Sequence, residues 1–223
     1  MREVMLIVVG VSLAFGVESR WSDYQEGRED AGYIAALAAE FLDDRAGLED
    51  ALRLARGAAA AADTLGMVRL GDVAVPSARI PYLFWLATSV NQLAITSTSL
   101  ESLFTSPTWA RLNNPELQLM ITQHDQSLRE LQATIDRATD YWFQSFEPVL
   151  RDRIDYHEWE ARFSRPDDAV STEELTAWVR LLDERDVNNL VTHAAWFARE
   201  AEGDVSALLS QIDHIMELLS LTE

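Results

Sequence analysis

Apolar residues recur every three or four positions over three long stretches of this chain, at residues 34–62, 117–142 and 190–219. This spacing places the apolar side chains of each stretch on one face of an α-helix, and each such face needs another helix to cover it. No stretch shows a convincing alternation of apolar and polar residues, the pattern of a half-buried strand. The sequence therefore predicts an all-α fold, an antiparallel bundle of long helices with short connecting helices.

Capping and turn residues indicate where these helices begin and end. Asn114, followed by proline and glutamate, is typical of a helix N-terminus. Residues 66–77 contain two glycines and a proline, and we expect them to connect the first long helix to a helix over residues 80–95. A short helix is expected near residues 99–104, followed by a loop that carries Trp109.

The second half of the chain has similar signals. Pro148 is expected to kink or interrupt the second long helix, because proline removes a backbone donor and its ring crowds the preceding turn. Residues 165–169 have the composition of a turn. Ser171 and Glu174 form a capping box for a helix that ends near Asp183, and the last long helix is predicted from Asp186 onward.

The densest apolar stretch lies near the N-terminus. Residues 4–17 are fourteen consecutive positions without a charge, about 21 Å of helix, whereas the hydrocarbon core of a bilayer is about 30 Å thick. If the segment is counted through Trp21, the helix is about 27 Å long. Trp21 suits the level of the lipid headgroups, and the long side chain of Arg20 can extend its charge to the same level. We expect residues 1–21 to be a single transmembrane anchor that contacts the lipid bilayer through residues 4–21, and residues 22–223 to be the bundle domain.

Two other interpretations of this stretch stay open, a cleaved signal peptide and a buried helix of a soluble protein. Ala14-Phe15-Gly16 imitates the small-x-small pattern of a cleavage site. However, only three residues precede the apolar run, and one of them is Glu3. The retained anchor is the interpretation that we favour.

Small residues within the anchor predict helix packing in the membrane. Gly10 and Ala14 are four positions apart, as are Ser12 and Gly16. This spacing lets another helix approach closely in lipid. The alternative is that glycine and alanine are simply common in membrane spans.

Positive charge specifies the orientation of the anchor only weakly, because both ends of the apolar run carry arginine: Arg2 before it, and Arg20 and Arg28 after it. Three residues precede the apolar run, and almost the whole chain follows it. We therefore expect a bacterial inner-membrane protein that crosses the membrane once, with its N-terminus in the cytoplasm and the bulk of the chain in the periplasm.

The charge balance excludes one large class of partner. The chain has 37 acidic and 18 basic residues, all of the latter arginine, for a formal net charge of −19. Sequence-independent binding of nucleic acid needs a basic stripe, which this chain cannot assemble. The absence of cysteine also excludes disulfides, thiolate metal sites and cysteine nucleophiles.

The chain offers no recognisable catalytic or metal-binding motif. None of its four histidines has a glutamate three positions before it, and no two are three or four residues apart, the spacings that place metal ligands on one helix face. His124 lies on the apolar seam of the second long helix. We expect it to be a hydrogen-bonded core histidine or a polar residue that sets the helix register, and the alternative is that it is a metal ligand. We expect no enzyme activity, no catalytic residue, no metal and no cofactor.

Aromatic side chains on the short connecting elements are the best candidates for contact with a partner. Trp85 and Trp109 lie on or beside such elements, where a large aromatic has less reason to be buried and more reason to anchor an interface. Tyr82 and Phe84 precede Trp85 on the same short element. These four residues form the predicted partner surface, and the alternative is that residues 80–95 are a core helix.

The opening REVMLIVVGVSLAFGVESRW, the following YIAALAAEF and the later SLESLFTSPTWARLNNPELQLMI resemble an uncharacterised bacterial family of single-pass membrane-anchored helical proteins. The resemblance spans about residues 2–150. This chain departs from the family pattern because it has no basic stretch before the span and no lysine. The resemblance implies the same architecture, an anchor followed by a long helix, and it implies no catalytic residue.

Together these features predict a non-catalytic accessory or scaffolding subunit that packs on integral membrane proteins of a larger complex, for example a bacterial respiratory or photosynthetic assembly. The alternative is a membrane-anchored sensor or small-ligand-binding bundle. A scaffold predicts a filled core and an apolar outer patch near residues 82–85. A sensor predicts an internal pocket lined by groups such as His124.

Overall fold

The computed structural model describes residues 2–72, 75–76, 79–92, 99–112, 114–154 and 172–220, with the side chains of residues 2–30 and of a few other helical positions outside the description. No strand occurs in these ranges, which confirms the all-α prediction. The elements are α1 (Arg2–Leu70), α2 (Arg79–Ala87), a 3₁₀ helix (Ser89–Gln92), α3 (Ser99–Thr105), α4 (Pro107–Arg111), α5 (Pro115–Tyr141), a π-helical turn (Trp142–Phe146), α6 (Glu147–Arg151), α7 (Thr172–Asp183) and α8 (Arg185–Ser220).

The first helix, α1, is continuous over 69 residues, a length of about 100 Å. Leu37, Phe41 and Leu48 are buried, alanines supply most of the buried positions over residues 51–62, and Leu65 is the last buried residue of the helix. Alanine is the strongest helix former, and its small side chain lets neighbouring helices approach closely. These properties explain why the long apolar seam folds as one rod.

A glycine in the left-handed region ends α1. Gly71 has φ of +77°, its N–H donates to the carbonyl of Val68 at 3.1 Å, and the N–H of Asp72 donates to the carbonyl of Met67 at 3.0 Å. These two bonds form a Schellman motif, which satisfies carbonyls that the end of a helix leaves unpaired. The expectation that the connection begins at Gly66 was therefore wrong, because Gly71 supplies the positive φ that stops the helix.

The second long helix, α5, begins as the sequence predicts. The side-chain oxygen of Asn114 accepts a hydrogen bond from the N–H of Leu117 at 3.1 Å, and proline is the first helical residue. Before Pro148 the helix widens into the π-helical turn, and the N–H of Glu147 donates to the carbonyl of Trp142. The extra residue in this turn accommodates a proline ring that would crowd a regular α-helical turn.

The last helix, α8, packs against both α1 and α5, and polar pairs fix its direction. Arg45 lies 3.4 Å from Asp213, whereas Arg56 lies 2.9 Å from Glu202. Residue numbers rise along α1 as they fall along α8, so the two helices are antiparallel. Pairs between α5 and α8 follow the same rule, so α8 is antiparallel to both other long helices, which therefore run parallel to each other.

Two groups of buried side chains form the core. The larger lies among α1, α3, α5 and α8. The smaller is built where α2, α6 and α7 pack against the C-terminal part of α1 and the N-terminal part of α8. Helices α2, α6 and α7 thus close one end of the bundle.

At the opposite end, α1 continues past its neighbours. Helix α8 ends at Ser220, two turns beyond the Asp213 that pairs with Arg45, so its end lies level with Leu37 of α1. Helix α5 begins at the same end. Among the described side chains of α1, Ile34 is the first that packs on the larger core group, so the residues of α1 before it extend about 50 Å beyond α5 and α8.

Two further predicted elements differ from the structure. The helix predicted over residues 80–95 ends at Ala87 and is followed by the short 3₁₀ helix. The loop predicted around Trp109 contains α4. The turn predicted at residues 165–169 and the Ser171 cap lie outside the described residues.

Within the described residues, no helix carries an apolar stretch long enough to cross a membrane. The predicted anchor lies on the part of α1 where only the backbone is described. Its side chains lie outside the description, both the predicted packing residues and the predicted interface residues: Gly10, Ser12, Ala14, Gly16, Arg20 and Trp21.

Candidate functional site

The predicted partner surface on α2 divides between the core and the outside. Phe84 is fully buried, and its ring centroid lies 5.3 Å from that of Trp178. Tyr82 and Trp85 are half-buried, with ring centroids 5.6 Å apart. Phe84 therefore belongs to the core and not to an outer surface, because the helical period turns it, with Ile80, toward the packed side of α2.

Trp109 joins the short helices to α5. Its ring meets Phe104 edge to face at 4.9 Å. Its backbone N–H donates to the hydroxyl of Ser106 at 3.2 Å, and its backbone carbonyl accepts a hydrogen bond from the side-chain amide of Gln118 at 2.9 Å. Trp109 packs on the larger core group, whereas Trp85 packs on the smaller one. The structure does not bring the two tryptophans into one patch.

A polar group crosses the core between α5 and α8 at His124. The imidazole is fully buried, and Nδ1 lies 3.3 Å from the side-chain oxygen of Gln211. The amide of Gln211 in turn donates to the hydroxyl of Ser127 at 3.0 Å. On the other side, Phe41 of α1 meets the imidazole edge to face at 5.4 Å. His124 therefore contacts all three long helices.

The chemistry of His124 follows from this burial. Because the Gln211 oxygen can only accept, Nδ1 carries the proton and Nε2 keeps its lone pair. Nε2 is buried and has no hydrogen-bond partner among the described residues. Burial lowers the pKa of His124 to about 4, since an apolar environment penalises the charged form. The imidazole is thus neutral near pH 7 and holds one unused acceptor.

A second polar contact lies farther along the α5–α8 interface. The buried hydroxyl of Thr134 donates to Asp204 at 3.2 Å. Arg137 donates both to this hydroxyl at 3.0 Å and to Glu200 at 2.9 Å. Burial raises the pKa of Asp204, and the nearby Glu200 carboxylate adds to that rise. With His124, this group fixes the register between α5 and α8, since any slip would leave buried polar atoms unpaired.

Aromatic side chains gather at the π-helical turn. The rings of Tyr141 and His193 stack at 5.3 Å, and Trp142 stacks on Phe146 at 5.0 Å. A cavity of about 10 Å³ under this turn is lined by Tyr141, Trp142 and Phe146, among others. Such a volume has room for about one water molecule. The interior at this end is filled.

Two aromatic residues at this end face solvent, and the sequence analysis did not select them. Phe143 is 60% exposed and Trp196 is 53% exposed. The ring of Trp196 meets the buried Phe197 at 4.9 Å. A signal was available, because both residues lie off the apolar seams of their helices, where a large aromatic gains nothing from the core.

No group of three histidine or acidic side chains that could hold a metal ion occurs within the described residues. His193 stacks on Tyr141, and His214 lies 3.6 Å from Glu116. His157 lies outside the described residues. Comparison of the chain with models of known protein families, with curated proteins and with solved structures yields no match.

Proposed function

We propose that this protein is a non-catalytic accessory or scaffolding subunit, anchored in a membrane and packed on the integral membrane proteins of a larger complex. The continuity of α1 carries the proposal. One helix runs from Arg2 to Leu70, so an anchor over residues 4–21 would pass into the bundle without a flexible linker. Such a rod would hold the domain at a fixed distance from the bilayer.

The exposed aromatic residues support a role in contact with other proteins. Phe143 and Trp196 each expose more than half of their surface, in a chain whose net charge is −19. Negative charge keeps the domain away from anionic headgroups, and large aromatics are enriched where proteins meet. A bacterial respiratory or photosynthetic assembly in the inner membrane is the host that we propose, with the domain in the periplasm.

One observation favours a second candidate, a membrane-anchored sensor or small-ligand-binding bundle. Nε2 of His124 is a buried acceptor with no partner among the described residues, and a buried polar atom of this kind usually has one. A ligand that donates a hydrogen bond would supply it. The side chains of Phe41 and Gln211 pack against the imidazole, so such a ligand would have to displace them.

Membrane fractionation tests the anchor. Val9→Arg introduces a charge in the middle of the apolar run, which costs about 2.5–3.5 kcal/mol at the centre of a span. Val9→Leu is the matched control. In bacterial cells that produce the full chain, we expect the native protein and Val9→Leu in carbonate-washed membranes and Val9→Arg largely outside them. The same distribution for all three chains would contradict the anchor.

Native electrophoresis in mild detergent distinguishes the two candidates. An accessory subunit is expected to migrate with integral membrane proteins, in a complex that Val9→Arg abolishes. A sensor or ligand-binding bundle is expected to migrate alone. A solitary, monodisperse monomer would therefore rule out the accessory role.

A further inference from the structure

An open groove runs between α1 and α2 on the outside of the bundle. Its volume is about 430 Å³, within the range of about 300–1,000 Å³ that small-molecule sites occupy. Along α1 it is lined by Gly57, Ala60 and Ala61, and along α2 by Leu83 and Leu86. The α1 side chains are small, which leaves the space open, and the leucines make its wall apolar.

Helices α1 and α2 pack closely at one edge of the groove. A Cβ atom added to Gly57 would lie 3.6 Å from Cδ1 of Leu86, so α2 already lies in contact distance of the α1 backbone there. Ala61 is buried, whereas Ala60 is exposed and faces the groove from its accessible side. A side chain larger than alanine at residue 60 would fill the space.

Arg79 sets the charge of this groove. It is the single ionisable residue among the described residues that line it. Over the whole chain, acidic side chains outnumber basic ones about two to one, 37 against 18. Several other arginines are each paired with a carboxylate: Arg45, Arg56, Arg137 and Arg153. An apolar groove with one arginine at its end matches a molecule with one anionic head and one apolar tail.

We propose that this groove binds a medium-chain fatty acid, with the carboxylate on the Arg79 guanidinium and the alkyl chain along Ala60, Leu83 and Leu86. The α1 segment from Gly57 to Thr64 is about 10 Å long, which suits a chain of medium length. A planar guanidinium holds a carboxylate through two parallel hydrogen bonds. This site is separate from the anchor and does not depend on the proposed accessory role.

Isothermal titration calorimetry with decanoate tests the proposal, using the full chain in amphipol. Ala60→Leu fills the groove, and Ala46→Leu makes the same change at an exposed position of α1 away from it. Arg79→Gln removes the cation, and Arg180→Gln removes an exposed arginine elsewhere. Decanol replaces the carboxylate with a neutral head.

We expect the native chain to bind one decanoate saturably, with the same affinity in both control variants. Ala60→Leu, which fills the groove, should weaken binding about tenfold or more. Arg79→Gln should also weaken it about tenfold or more, since a charge-assisted hydrogen bond is worth about that much in affinity. Decanol should bind at least tenfold more weakly than decanoate. No saturable binding, equal binding by the native chain and Ala60→Leu, or equal affinity for decanoate and decanol would each overturn the proposal. Circular dichroism of each variant verifies that it is folded.

Discussion

At the residue scale, His124 is the group whose ionisation the fold changes most clearly. Its pKa is about 4 against an ordinary value of 6.5, because the imidazole is buried against Phe41 and Gln211. Between these pH values the unfolded chain carries a proton that the folded chain does not. The free energy of unfolding therefore falls as the pH drops from about 6.5 to about 4, by an amount on the order of 3 kcal/mol.

Asp44 acts in the opposite direction, so the effect of His124 must be isolated by substitution. Burial, together with the nearby Glu40 and Asp43, raises the pKa of Asp44 to about 6. The folded chain therefore binds a proton at this carboxyl that the unfolded chain releases between about 6 and 3.8. Acidification through this range stabilises the fold at Asp44 while it destabilises the fold at His124.

Urea unfolding of the native chain and of His124→Leu, at several pH values between 7 and 4.5, separates the two contributions. We expect the native chain to lose stability relative to His124→Leu as the pH falls, by more than 1 kcal/mol over this range. Gln211→Leu, which keeps the histidine, should retain the pH dependence of the native chain. A difference between native and His124→Leu proteins that does not vary with pH would contradict the buried, neutral imidazole.

At the scale of elements, two glycines near the end of α1 make opposite predictions for the same substitution. Gly71 has a positive φ and nothing within 4 Å of an added Cβ atom, so Gly71→Ala is expected to cost about 1 kcal/mol through backbone strain alone. Gly66 lies inside the helix, also with open space around it. Gly66→Ala should stabilise the protein by about 0.5–1 kcal/mol.

Thermal or urea unfolding of the two variants beside the native chain measures both effects. Each variant is the control for the other, because both place an alanine within five residues on one helix end. Destabilisation by Gly66→Ala, or stabilisation by Gly71→Ala, would mean that α1 ends before Leu70.

The long helices could be predicted from the sequence because each carries an apolar seam longer than three heptads. A pattern of that length identifies the helix even when its predicted ends are misplaced by a few residues. Among the short elements, the helices predicted near residues 99–104 and up to Asp183 are confirmed, whereas others were predicted less well. The helix predicted over residues 80–95 leaves the α-helical conformation at Thr88, whose N–H donates to the carbonyl of Trp85. The π-helical turn leaves no signal in the apolar pattern, and proline at residue 148 indicates only that some irregularity is needed.

The candidate surface was less predictable than the fold. A tryptophan on a short element has no helical period long enough to show which side it faces, and Phe84 and Trp109 both pack inward. Phe143 and Trp196 lie off the apolar seams of their helices, a sequence signal for their exposure that was not used. The inward packing of Phe84 and Trp109, in contrast, depends on tertiary contacts that a single sequence does not supply.

At the scale of the whole molecule, the register between α1 and α8 determines the shape. The pairs Arg45–Asp213 and Arg56–Glu202 place the end of α8 near Leu37. The N-terminal part of α1 therefore leads away from the bundle, and this extension is what connects the apolar residues 4–17 to the acidic domain. The proposed anchored role depends on this geometry more than on any single side chain.

Distances between spin labels test this extension directly, and the absence of cysteine lets labels be attached only where a cysteine is introduced. One label is placed at Ser22 and the second in turn at Glu217, Ser210 and Gly203, three exposed positions along α8. If α1 runs on as one helix beyond the bundle, double electron–electron resonance should give distances of about 30, 40 and 50 Å, rising by about 10 Å at each step. Distances that fall in the same order would mean that the N-terminal segment folds back along the bundle, and the central claim would be contradicted.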